Sequence, residues 1–197
     1  MHDSGWGFDA YRTSFGDDEL FQRYIDYVRN AMVRGCKDEG VDRMASTATL
    51  YPREEQGGQH LKDLSLDEVR KLHMEWVAAV KRDVPDGYDD GLGLRRDYFM
   101  LVNDEVLERF RAAEEKLAKE NREPEYFHEG VMAIVCVGYE QEQDEEDDDD
   151  DNELEGRMWQ YVWADSLSEL YIMINNDSRE WWFTAFAWPP EVYGTYA

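Results

Sequence analysis

The sequence predicts an α+β domain in which a mixed, largely antiparallel sheet of about five strands carries about four helices, in the order β-α-α-β-α-β-β-α-β. Three observations lead there. In residues 130–139, GVMAIVCVGY, the seven positions 131–137 carry no charge and no strong polar group, and Val131, Ile134, Val135 and Val137 are β-branched. A run this short and apolar, bracketed by Gly130 and Gly138, reads as a strand buried on both faces rather than a helix of about two turns. Segments with helical spacing alternate with apolar runs along the chain, so helices and strands interleave. Finally, the core strand enters a polar stretch and the chain returns at residues 158–163 as a further strand, a connection that reads as a hairpin.

The first strand is placed at residues 6–15, where Trp6, Phe8, Ala10 and Arg12 alternate with Gly7, Asp9, Tyr11 and Thr13 before Gly16 breaks the run. Asp17, Asp18 and Glu19 open a helix, since carboxylates complement the positive end of its dipole. Phe21, Tyr24, Ile25, Val28 and Met32 line one face, and Gly35 is a natural stop. Residues 36–62, with Gly40, Pro52, Gly57 and Gly58, read as irregular, and a short strand at residues 47–51 is the only element suggested there. Ser65 and Glu68 form a capping-box pattern, with Leu64 and Val69 spaced as a hydrophobic staple. The helix they start presents Val69, Leu72, His73, Trp76, Val77 and Val80 on one stripe, and Pro85 ends it.

Residues 86–94 make a turn-rich loop, and residues 98–102, YFMLV, a second core strand. Asn103 or Asp104 caps a third helix lined by Val106, Phe110, Ala113 and Leu117, with Pro124 beyond its end. In residues 158–163, Trp159, Tyr161 and Trp163 share one face and Met158, Gln160 and Val162 the other. Ser166 and Glu169 repeat the capping pattern ahead of a short helix with Leu167, Leu170, Tyr171 and Ile174 on its stripe and Asn175 and Asn176 at its end. Residues 181–188, WWFTAFAW, read as the last strand, stopped by Pro189 and Pro190.

A chain of 197 residues is expected to be one domain, residues 1–197, with residues 140–156 inserted as an acidic, disordered loop. A domain of this size buries roughly 70% of its unfolded surface and needs neither disulfide nor metal to fold. The net charge is −25. Residues 140–155 hold twelve of the acidic groups and no basic one, so the remainder still carries −13. Acidity that is global as well as local disfavours direct nucleic-acid binding and anionic membranes, and leaves basic protein partners or mimicry of a polyanion. Cys36 and Cys136 do not suggest a disulfide framework, and the N-terminal MHDSGWGFDAYRT has no apolar signal core. No stretch approaches the ~18 apolar residues of a membrane span. These features predict a reduced intracellular protein, cytoplasmic or nuclear, whose oligomeric state the sequence leaves open.

The motifs that carry chemistry are sparse. Asp86, Asp90 and Gly91 match positions of a calcium loop, but Tyr88 and Asp97 stand where better ligands belong and Pro85 does not continue an entering helix. Neither metal nor cofactor is expected: His2, His60, His73 and His128 form no pair with ligand spacing, and no phosphate-binding glycine loop or nucleophile elbow is present. His73 reads as a satisfied core residue. Cys136, in the core strand, is read as a small buried hydrophobe rather than a nucleophile. Arg12, Arg95 and Arg96 read as partners for neighbouring carboxylates, with an anion pocket at a sheet end as the alternative.

The opening WGFDAYRT, the segment RRDYFMLVNDEVLERF at residues 95–110, the acidic tract and the closing WPPEVY at residues 188–193 resemble a family of uncharacterised intracellular proteins of filamentous fungi. That resemblance implies no activity and transfers no catalytic residue. The function expected from the sequence is a non-catalytic protein-interaction or regulatory domain. A basic partner would dock on Asp147, Asp148, Asp149, Asp150 and Asp151, and an aromatic groove would form around Trp182, Trp188, Pro189 and Pro190. The alternatives are an enzyme whose site is assembled from His128, Glu129, Arg12 and Asp104, or a mimic of DNA.

Overall fold

The alternation in the first strand conceals two buried faces. β1 (Gly7–Arg12) is buried at all six positions, Asp9 and Arg12 included, so it lies inside a sheet with layers above and below. The computed structural model describes residues 6–83, 93–121, 131–136, 159–176 and 192–193. The main sheet has six strands in the order β2 (Thr49–Arg53), β1, β5 (Tyr98–Val102), β6 (Val131–Cys136), β7 (Trp159–Trp163) and β8 (Val192–Tyr193). A separate hairpin joins β3 (Glu55–Gln56) to β4 (Gln59–His60).

β1 runs parallel to both β2 and β5, and β8 runs parallel to β7. β6 is antiparallel to β5 and to β7. This corrects the expectation of a largely antiparallel, five-stranded sheet: there are six strands, and the run β2-β1-β5 is wholly parallel. The reason lies in residues 36–62. β2 is a short edge strand containing the exposed Pro52, and proline is tolerated only where a ladder donor is not required. The short strand suggested at residues 47–51 overlaps β2, but its place in a strand–helix–strand crossover, which dictates parallel pairing, is obscured by the proline and the glycines around it. The antiparallel pairing of β6 with β7 matches the sequence reading. The strand read at residues 181–188 lies outside the described residues.

Five helices accompany the sheet among the described residues: α1 (Asp18–Asp38), α2 (Asp42–Ala45), α3 (Leu66–Asp83), α4 (Asp104–Glu120) and α5 (Leu167–Asn176). Phe8 of β1 meets Tyr171 of α5 edge-on, and Tyr24 of α1 meets Phe110 of α4, which places α1, α4 and α5 in one layer. Tyr11 and Phe99 turn the other way and pack on His73 of α3. From β1 the chain steps outward to β2 through α1, then back past β1 to β5 through α3. Crossovers of one hand that step in opposite directions put their helices on opposite faces.

The helix ends follow the sequence closely at their starts. The Asp17 carboxylate caps α1 by accepting from Leu20 N at 2.9 Å, and Asn103 rather than Asp104 caps α4, accepting from Val106 N at 3.0 Å. The capping box at α3 forms: Ser65 N donates to Glu68 Oε2 at 2.8 Å and Glu68 N to Ser65 Oγ at 3.4 Å. Gly35 does not stop α1, which continues to Asp38. Its lack of a side chain serves packing instead, since a Cβ there would lie 2.1 Å from Ser168 Oγ and 2.9 Å from the Asp165 carbonyl oxygen. No helix of the described residues is long and apolar enough to cross a membrane.

Candidate functional site

Parallel strands gather their carboxyl ends at one edge of the sheet, and there the chain leaves β1 and β5 in different directions. The carboxyl ends of the parallel strands are the usual ligand edge of open α/β sheets. Here the loops are residues 13–17 after β1, and Asn103 with Asp104 after β5. They are tied together where Thr13 N donates to Val102 O at 3.0 Å. Ser14 Oγ donates a hydrogen bond to Asp104 Oδ1 between the two loops. Ser14 is half-buried and Asp104 exposed, so the pair is open to solvent.

Arg12 holds this edge from below. Its side chain is only 3% exposed and reaches Asp18 at 2.6 Å and Glu54 at 2.8 Å, while Nε donates to Ser14 O at 2.8 Å. The guanidinium lies over the Phe15 and Phe21 rings at 4.6 and 4.3 Å. A buried cation with two carboxylates, a carbonyl and two ring faces is immobile, and it fixes the loop that carries Ser14. The His60 ring, from the β3–β4 hairpin, packs at a tilt against Phe15 at 4.5 Å between centroids. Asp17 accepts from Arg111 of α4 at 3.1 Å, which locks the start of α1 to the neighbouring helix. Its own cap bond to Leu20 N, then the Arg111 bond, hold the Asp17 carboxyl below the usual range.

A second polar cluster sits on the α3 face. Asp9 is fully buried in mid-β1 and shared by two arginines: Arg53 Nε at 2.8 Å, and Arg95 Nε and Nη2 at 2.9 and 3.0 Å. Tyr11, two residues on and therefore on the same face, makes a 2.9 Å hydrogen bond to His73 Nδ1. Burial is the main cause that pushes the Tyr11 hydroxyl far above its ordinary pKa, with the Asp9 charge acting in the same direction. Burial also pushes the His73 imidazole down to about 4, against the pull of Asp9 and the Arg96 and Arg95 backbone toward the charged form. At neutral pH the imidazole is therefore uncharged.

Of the residues read as an assembled site, Arg12 and Asp104 come together through Ser14, although they are far apart in sequence. His128 and Glu129 lie outside the described residues, as do Asp147, Asp148, Asp149, Asp150, Asp151, Trp182, Trp188, Pro189 and Pro190, and the calcium-like residues Asp86, Tyr88, Asp90 and Gly91. Arg12 and Arg95 pair with carboxylates, and His73 is a core residue with a hydrogen-bond partner, as read. Cys36 is a free, buried thiol whose pKa burial raises. Among the described residues no group of three or more His, Cys, Asp or Glu is placed to hold a metal ion.

Sequence reasoning passed over Ser14, His60, Asp9 and Arg53. Asp9 carried a signal, being a carboxylate in the middle of a strand with bulky apolar neighbours. His60 and Arg53 reach their positions through the hairpin and β2, and Ser14 through the pairing of β1 with β5. No family model, no curated protein and no solved structure matches the chain.

Proposed function

We propose that the chain is an enzyme whose site is assembled from scattered residues at the carboxyl edge of β1 and β5. Asp104 is the proton acceptor, Ser14 the hydroxyl it acts on, and Arg12 the fixed cation that positions the Ser14 loop without touching substrate. The observation that carries this reading is the Ser14–Asp104 hydrogen bond, between residues 90 apart in sequence and at the carboxyl edge of β1 and β5. A hydroxyl held against a carboxylate is the pairing that nucleophilic catalysis requires. Asp17, Asp18, Glu54 and Asp104 outnumber Arg12 and Arg111 around this edge, a field that repels anions. The substrate class that fits is a small uncharged ester. Asp104 takes the hydroxyl proton as Ser14 Oγ bonds the carbonyl carbon, the proton passes to the departing alkoxide, and water then releases the acid from Ser14.

The test is turnover of a panel of uncharged ester reporters by the wild type and by Ser14→Ala and Asp104→Asn. Both variants are expected to lose about 100-fold or more with unchanged thermal unfolding, because neither side chain is buried. Wild-type inactivity on every ester, or full activity in both variants, contradicts the proposal.

The docking reading rests on the acidic tract and the aromatic C-terminal run, which the described residues do not include. Mimicry of DNA finds less support. Carboxylates on α4 such as Glu105, Glu108 and Glu114 are each engaged by arginine rather than left as free charge. Membership of the fungal family is a proposal that rests on the quoted motifs alone.

A further inference from the structure

Arginine is scarce relative to carboxylate in this chain, with 21 basic residues against 46 acidic ones. Arg12, Arg23, Arg34, Arg109 and Arg111 each have at least one carboxylate of their own. Among the described residues Arg53 and Arg95 instead share one, Asp9, so the described part of this cluster carries an excess positive charge inside a molecule of net charge −25. Asp9 occupies Nε of Arg53 and Nε and Nη2 of Arg95. Both terminal nitrogens of Arg53, and Nη1 of Arg95, have no acceptor among the described residues.

Their placement favours a ligand. The Arg95 guanidinium stacks on Tyr51 at 3.8 Å and lies 5.4 Å from the Trp76 ring, and Arg53 lies 5.3 Å from the same ring. These flat faces and the shared carboxylate hold both forks in place, so little side-chain freedom is lost when they bind. Exposure rises outward from Asp9 at 0% through Arg95 at 14% to Arg53 at 32%. Tyr51 and Arg53 belong to β2, the edge of the sheet, so the unused donors lie on the open side. His73 is neutral and adds no charge to the count.

We infer that Arg53 and Arg95 form a binding site for a small oxyanion, the carboxylate or phosphate group of a ligand. Two fixed guanidinium forks with spare donors match the oxygens of either group. This site lies on the α3 face, away from the Ser14–Asp104 pair, and does not depend on the enzyme reading.

The experiment follows the arginine side-chain Nε–H signals of the full chain by NMR during titration with sodium phosphate and with sodium acetate, at ionic strength held constant with sodium chloride. Saturable shifts at Arg53 and Arg95 are expected for at least one anion. Tighter phosphate binding marks a phosphorylated ligand, and tighter acetate binding a carboxylate ligand. Arg53→Gln leaves Asp9 its two bonds from Arg95 and is expected to weaken binding about tenfold or more. Arg53→Lys, which keeps the charge and loses the fork, should fall between and serves if the first variant unfolds. Arg23→Gln, at an exposed ion pair elsewhere, should change nothing. Absence of saturation with both anions, or Arg53 variants that titrate like the wild type, overturns the inference.

Discussion

His73 illustrates how one side chain sets a property of the whole protein. It is fully buried against Tyr11, Phe99 and Trp76 and takes up a proton in the folded state only near pH 4. In the unfolded chain it does so near 6.5. Between those values the unfolded state binds the extra proton, so stability is complete above about pH 6.5 and is lost as pH falls toward 4. The shift corresponds to about 3 kcal/mol over that window. Urea unfolding of the wild type from pH 7 to pH 5 should show a steady loss, and His73→Gln should flatten it. Parallel curves for the two proteins would place the acid sensitivity elsewhere. The Asp17 and Glu68 carboxyls, whose pKa values the Leu20 and Ser65 hydrogen bonds lower, contribute stability that is lost only at more acid pH. Arg12 is the buried cation on the other face of β1. Its burial is tolerated because every direction offers a carboxylate, a carbonyl or a ring face.

Among the elements, α1 is governed by a residue that does nothing for the helix itself. Glycine inside a helix costs about 1 kcal/mol relative to alanine, so Gly35→Ala is stabilising in isolation. In place, the added Cβ meets Ser168 Oγ and the Asp165 carbonyl. The first can rotate away and the second is backbone. The expected result is net destabilisation of about 1–3 kcal/mol, measured as a lowered denaturant midpoint, and the double variant Gly35→Ala, Ser168→Ala should recover only part of it. A stabilised Gly35→Ala protein would mean that α1 and the start of α5 are not in contact at this point. This position also shows what the sequence makes legible. Caps, stripes and core runs are local, so α3, α4, α5, β5 and β6 could be read from spacing. The same glycine looks like a stop because a close approach across 133 positions leaves no local trace. β2 was obscured for the opposite reason: Pro52 and Gly57 are strong local signals for irregular chain, and tertiary pairing with β1 overrides them.

For the molecule as a whole, that one strand decides the architecture. With β2 in place the first half of the chain becomes a parallel three-strand unit with helices on both faces. The carboxyl ends of β1 and β5 then bring Arg12, Ser14 and Asp104 together. Arg12 and Asp104 were legible as polar residues at strand ends. Ser14 and His60 were not, because a serine in a loop and a histidine in a glycine-rich hairpin acquire meaning only when the sheet assembles them. The most direct test of the account maps where uncharged small molecules bind. A fragment library would be titrated into the isotope-labelled full chain, with backbone amide shifts read over the entire sequence. The account predicts that shifts from the binding fragments concentrate at Ser14, Gly16, His60 and Asp104 and weaken in Asp104→Asn. Fragments that concentrate away from the carboxyl edge of β1 and β5, or that bind nowhere, contradict it.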